Sequence, residues 1–163
     1  MRVIARSEKV VSEGLAGLSA LLLAVIVALF VMEIFMRYAI GAPTKWSNDA
    51  VTFVMPAMIF LALPEVTRRC QHIAITFLTE SLSRRSAVVW NRVLAVVSSA
   101  VCFVIFTVVG TTVIKQFTAG IMTNTVVQVP KWILLTPIMV SFFVMAFIFL
   151  ATALDLERED GLG

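Results

Sequence analysis

Four runs of about twenty apolar residues, joined by short polar connections, leave this chain few ways to fold. They are Leu15 to Met36 with Glu33 as its one acid, Trp46 to Pro64 with Asp49, and the uncharged Val93 to Ile114 and Trp132 to Leu154. At 1.5 Å rise per residue, a helix of about 20 residues crosses a hydrocarbon layer of about 30 Å. Backbone polar groups in lipid must find partners within their own segment or in a closed barrel, and unbroken apolar runs select the helix. Composition agrees, because 60% of the 163 residues are hydrophobic, against about 45–50% in soluble domains. The expected fold is an all-α integral membrane protein with four transmembrane helices, at about 15–38, 46–66, 90–114 and 132–154, in one four-helix domain over 1–163. The first run is too long for a signal-peptide core, with Glu33 and Arg37 between it and any cleavage-like site, and reads as a retained helix.

Charge orients the spans. The N-terminal arm, the segment between spans two and three and the tail hold nine Lys and Arg, and the other two connections hold four: Arg37, Lys45, Lys115 and Lys131. The positive-inside rule puts the richer side, with both termini, in the cytoplasm. Residues 38–46 and 115–131 are then expected outside.

The polar segments carry a second pattern. Arg2, Arg6, Lys9 and Glu13 share one helical face, opposite Ile4, Val11, Leu15 and Leu18, which reads as an amphipathic interfacial helix running into span one. Between spans two and three, His72, Thr76, Thr79, Glu80 and Ser83 share a polar face, and Ile73, Phe77, Leu78 and Leu82 an apolar one. A second interfacial helix is expected there, with Arg68, Arg69, Arg84 and Arg85 near anionic lipid. Alternation of Ile73, Ile75 and Phe77 also fits a short extended piece, but the helical pattern covers more residues.

Charged groups within or beside the spans are the candidates for function, since they are costly there. Glu33 and Arg37, one turn apart at the end of span one, are expected to pair and to grip a neighbouring helix or subunit. Trp46 suits the interfacial aromatic belt, Ser47 or Asn48 can cap span two, and Asp49 complements its positive end. Glu65 and Arg69 repeat the one-turn spacing at the other end of that span. His72, the sole histidine, is expected to pack or hydrogen-bond, and alone it excludes bis-histidine haem and two-histidine metal sites within one chain. Cys70 and Cys102 should lie at different depths, and no CxxC, P-loop, nucleophile elbow, HExxH or dinucleotide fingerprint is present. No enzyme, cofactor or metal site is expected. Nucleic acid is not expected either, since the basic segment lacks interleaved aromatics. The spans offer only scattered Ser and Thr, too little for a pore or carrier in one copy, so the expected role is a helper that packs on another membrane protein.

An ordered set of motifs carries a family resemblance. Arg37-Tyr38 closes span one, and Gly41 and Pro43 lead to Trp46-Ser47-Asn48-Asp49. Arg69-Cys70-Gln71-His72-Ile73 follows, and Val129-Pro130-Lys131-Trp132 with Pro137 opens span four. Together, over about residues 15–150, they resemble the small membrane subunit, DctQ-like, of tripartite ATP-independent periplasmic (TRAP) transporters. That resemblance implies a sodium-coupled importer of organic acids in the bacterial inner membrane, whose partners are a large membrane subunit and a periplasmic solute-binding receptor. The small subunit would bind no substrate in the lipid phase and would brace the large one. Glu33, Arg37, Tyr38, Trp46, Asp49, Glu65, Arg69, His72, Ile73, Pro130 and Trp132 are the motif or interface candidates. The rival readings are a self-associating small channel or exporter, and a non-catalytic anchor subunit of another complex.

Overall fold

The computed structural model describes the backbone at residues 2–42, 44–79 and 84–160, and side chains at 9–42, 44–69 and 89–154. Its elements are α1 (Arg2–Phe35), a π-helical turn (Met36–Ile40), α2 (Ser47–Thr79), α3 (Arg84–Ala119) and α4 (Lys131–Asp160). Each α-helix contains a stretch long and apolar enough to cross a membrane: Lys9–Ile40, Ser47–Arg69, Val89–Ala119 and Lys131–Leu154. The expected all-α, four-span architecture is what the chain adopts.

The helix ends follow from local chemistry. Gly41, at φ 71°, stops the first helix, and its N–H bonds to Met36 O, five residues back, as π winding requires. Gly120, at φ 60°, ends α3 by donating to Phe117 O at 3.3 Å, while Ile121 N reaches Gln116 O at 3.3 Å. This is a Schellman closure, and its left-handed residue favours glycine. The following loop is tied by Thr123 N to Val129 O and Lys131 N to Ile121 O, both at 3.0 Å, and by an isolated bridge between Met122 and Pro130.

Helix α2 differs from the expected layout. It continues unbroken from span two to Thr79, within the segment read as a separate interfacial helix, so Ile73, Ile75 and Phe77 lie on helical backbone and not in an extended piece. Pro56 and Pro64 both lie within it. The faces expected from Ile73 and His72, like those of the arm before Lys9, lie outside the described side chains.

The helices neighbour one another in the order α1, α2, α4, α3. The main contacts are α1 with α2, α2 with α4 and α4 with α3, and α1 and α3 do not touch among the described residues. This is a row and not a closed bundle. Its burial is correspondingly unusual: among the described residues eight apolar side chains are buried, including Ile26, Leu61, Pro64 and Ile148, beside six polar ones. The near parity has a physical reason. Lipid tails solvate leucine as well as another helix does, so association relies on close packing and interhelical hydrogen bonds.

Serine supplies those bonds. Ser19 Oγ donates to Met58 O at 2.7 Å across α1–α2, and Ser99 Oγ to Ala146 O at 3.0 Å across α3–α4. Ser141 Oγ of α4 donates to Phe60 O of α2 at 2.5 Å. The last has a specific cause. Pro64 has no N–H, so the carbonyl four residues earlier, that of Phe60, loses its helical donor. Ser141 and Pro64 are both fully buried at this contact. Between α3 and α4, Phe106, Phe143 and Phe147 stack at tilted to edge-on angles with centroids 4.9 to 5.1 Å apart, and Gly110 of α3 lies beside Met139.

Candidate functional site

The α1–α2 seam positions most of the candidate residues. On α1, Ser12, Ser19, Ile26 and Glu33 recur every seven residues and are the most buried, and Leu15, Leu22 and Leu29 between them are half-buried, as is Met36 at the start of the π-helical turn. That is the a/d pattern of a left-handed supercoil. A carboxylate sits at each end of it.

At one end Glu65 of α2 is enclosed, its side chain 7% exposed. Arg68 binds it with two parallel bonds, Nε to Oε2 at 2.9 Å and Nη2 to Oε1 at 2.7 Å. Arg69 Nε adds a bond to Oε1 at 2.6 Å, and Ser12 Oγ of α1 one to Oε2 at 2.8 Å. Arg68 also lies 3.5 Å from Glu13, which is 3.8 Å from Lys9. The expected Glu65–Arg69 pair therefore exists inside a larger network. Forked guanidinium geometry makes Arg68 its strongest member.

At the other end Glu33 of α1 takes Arg37 Nη2 on Oε1 at 3.2 Å. Its Oε2 accepts from Ser47 Oγ at 2.9 Å, Thr44 N at 3.3 Å and the Thr44 hydroxyl. The carboxylate so fastens the 41–46 turn and the start of α2 to the end of α1. Ser47, expected as a cap, spends its proton on Glu33, and Trp46 O receives the first helical bond of α2, from Ala50 N at 3.0 Å. The cleft between these elements has a volume of about 360 Å³ and is lined by Leu29, Phe30, Ile34 and Val51 on its apolar side and by Arg37, Tyr38 and Asn48 on its polar side.

Tyr38, Trp46, Asp49, Pro130 and Trp132 lie near that same end, whereas His72 and Ile73 lie on α2 beyond Glu65. Asp49 Oδ2 accepts from Val127 N at 3.3 Å, tying α2 to the loop before α4. Pro130 joins the bridge that closes this loop, and Trp132 meets Phe117 edge-on at 5.5 Å. Tyr38 is 82% exposed, and Trp46 is also exposed. His72 and Ile73 have helical backbone, and their side chains lie outside the described residues. Sequence reasoning missed Ser12, Thr44 and Arg68. The heptad spacing of Ser12 with Glu33 was the available signal for the first.

Chemically, both carboxylates are saturated by donors and neither is presented as a base. Among the described residues no three His, Cys, Asp or Glu side chains gather as a metal site. What the protein does present is apolar surface. Along α1, Ala20, Leu23, Ala24, Val27, Ala28, Val31 and Phe35 form one open apolar face. On α3, Val97, Val101, Val104 and Val108 are more than half exposed.

A family model for the DctQ component of tripartite ATP-independent periplasmic transporters matches residues 26–159. The chain belongs to the DctQ family. No curated protein and no solved structure matches it. DctQ membership makes the chain a multi-pass membrane component of a TRAP transporter, and the matched region takes in α2, α3, nearly all of α4 and the Glu33 half of the α1 seam. Of the two carboxylate clusters, the one around Glu33 lies wholly within the DctQ match. The other draws Ser12, Glu13 and Lys9 from before it.

Proposed function

We propose that this DctQ protein is the small permease subunit of a sodium-coupled importer of organic acids, and that it braces a large membrane subunit served by a periplasmic receptor. It resides in the bacterial inner membrane with both termini in the cytoplasm. The observation that carries the reading is the row of helices: a single layer whose edge helices, α1 and α3, leave valine-, leucine- and phenylalanine-rich faces uncovered. A chain that bound substrate in the membrane would need polar groups converging at mid-depth. Here the buried serines join helix to helix, and the charged side chains sit at the seam ends. Carriers that move one domain against another need a wall held at constant depth, and Trp46, Trp90 and Trp132 with the charged ends of α1 and α2 resist vertical displacement.

Reconstitution tests the role. Liposomes holding the large subunit and this chain, supplied with receptor and a sodium gradient, are expected to accumulate a carboxylate substrate. Omitting this chain should abolish most of that uptake. Full transport by the large subunit and receptor alone would refute the bracing role.

A further inference from the structure

We propose that the cleft between the outer end of α1 and the start of α2 is a phospholipid site, in which Arg37 holds the phosphodiester and the first part of an acyl chain lies against Phe30, Ile34 and Val51. The inference rests on the membrane spans and not on the partnership proposed above. The cleft, about 360 Å³, changes polarity along the span axis: Leu29, Phe30, Ile34 and Val51 lie toward mid-membrane, and Arg37, Tyr38 and Asn48 toward its edge. A lipid has that same gradient, apolar chain below and charged headgroup above, and Phe30 and Ile34 are both more than half exposed.

Arg37 suits a phosphate. Its side chain is 58% exposed and touches Glu33 through a single nitrogen at 3.2 Å. A guanidinium carries five N–H donors, and its planar fork matches two phosphate oxygens. Glu33 repels an incoming anion weakly, because four donors from Arg37, Thr44 and Ser47 already share its charge. The one bond to Glu33 holds a single edge of the guanidinium at the cleft and leaves its other donors for the headgroup. The π-helical turn at Met36–Ile40 carries both Arg37 and Tyr38 at the rim.

The test places photo-leucine, a diazirine residue close in size to isoleucine, at Ile34 of the full-length chain, illuminates native membranes and measures adducts by intact mass. A second probe at Val104, 59% exposed on α3, reports bulk lipid contact. Phospholipid adducts are expected at Ile34. Arg37→Ala should reduce them severalfold, while Lys115→Ala, and either variant's adducts at Val104, should stay at the wild-type level. In chains probed at Val51 instead, Ile34→Trp, which fills the cleft with Arg37 intact, should abolish the lipid adduct, and thermal unfolding in detergent checks that each variant is folded. Polypeptide adducts at Ile34 would overturn the proposal in favour of a partner helix. Lipid adducts indifferent to both Arg37→Ala and Ile34→Trp would overturn it in favour of unselective lipid. Loss of adduct on adding inorganic phosphate would overturn it in favour of a soluble anion.

Discussion

At the residue scale the strongest statement concerns Pro64 and Ser141. Proline removes the donor that would have met Phe60 O, and a serine from another helix replaces it. Interhelical hydrogen bonds in membranes contribute about 0.6 kcal/mol on average and up to about 1.7 kcal/mol. Ser141→Ala should fall near the upper figure, since it leaves a buried carbonyl without a donor, and denaturation in mixed micelles measures it. In a Pro64→Ala background the helix regains its own donor, and the same serine substitution should cost clearly less. Equal costs in both backgrounds would mean that the two residues are uncoupled. Glu65 gives a second prediction of this kind. Glu65→Leu strips Arg68 and Arg69 of their shared carboxylate and Ser12 of its interhelical acceptor, so it should lower the unfolding midpoint more than Arg69→Leu, whose side chain is 72% exposed.

At the scale of the element, four spans are legible in the sequence because long apolar runs have one stable form in lipid. The α1 seam is less legible. Its Leu15, Leu22 and Leu29 are no more apolar than the leucines and valines on the other sides, so only the polar spacing of Ser12, Ser19 and Glu33 tells the packed face from the lipid face. Glu33 and Arg37 were recognisable as a pair from their spacing, whereas Thr44 and Ser47 reach the same carboxylate only because Gly41 turns the chain back. Likewise Asp49 shows its place at a helix start but not its bond to Val127, 78 positions away. The turns themselves predict cost. Gly120→Ala must hold φ near 60° with a side chain, which should destabilise by about 1–2 kcal/mol. Gly110→Ala, whose added methyl would stand 3.7 Å from Met139 Sδ in ordinary contact, should be tolerated, and the same unfolding assay compares them.

At the scale of the whole molecule, the order α1, α2, α4, α3 can be checked by chemical linkage. Cysteine pairs at 19 and 58 and at 99 and 146 should cross-link readily in membranes of a chain otherwise free of cysteine, and pairs between α1 and α3 should not. A closed four-helix bundle would permit the second kind. The Pro64–Ser141 contact also bears on the order in which the protein is made. Helix α2 leaves the ribosome two spans before the serine that completes it, so for that interval its Phe60 carbonyl faces lipid without a partner. Chains truncated at residue 130 should therefore be held by the insertion machinery or degraded, while Pro64→Ala versions of the same truncation should persist longer in a pulse-chase. Synthesis of the fourth span is in this sense the step that finishes the second.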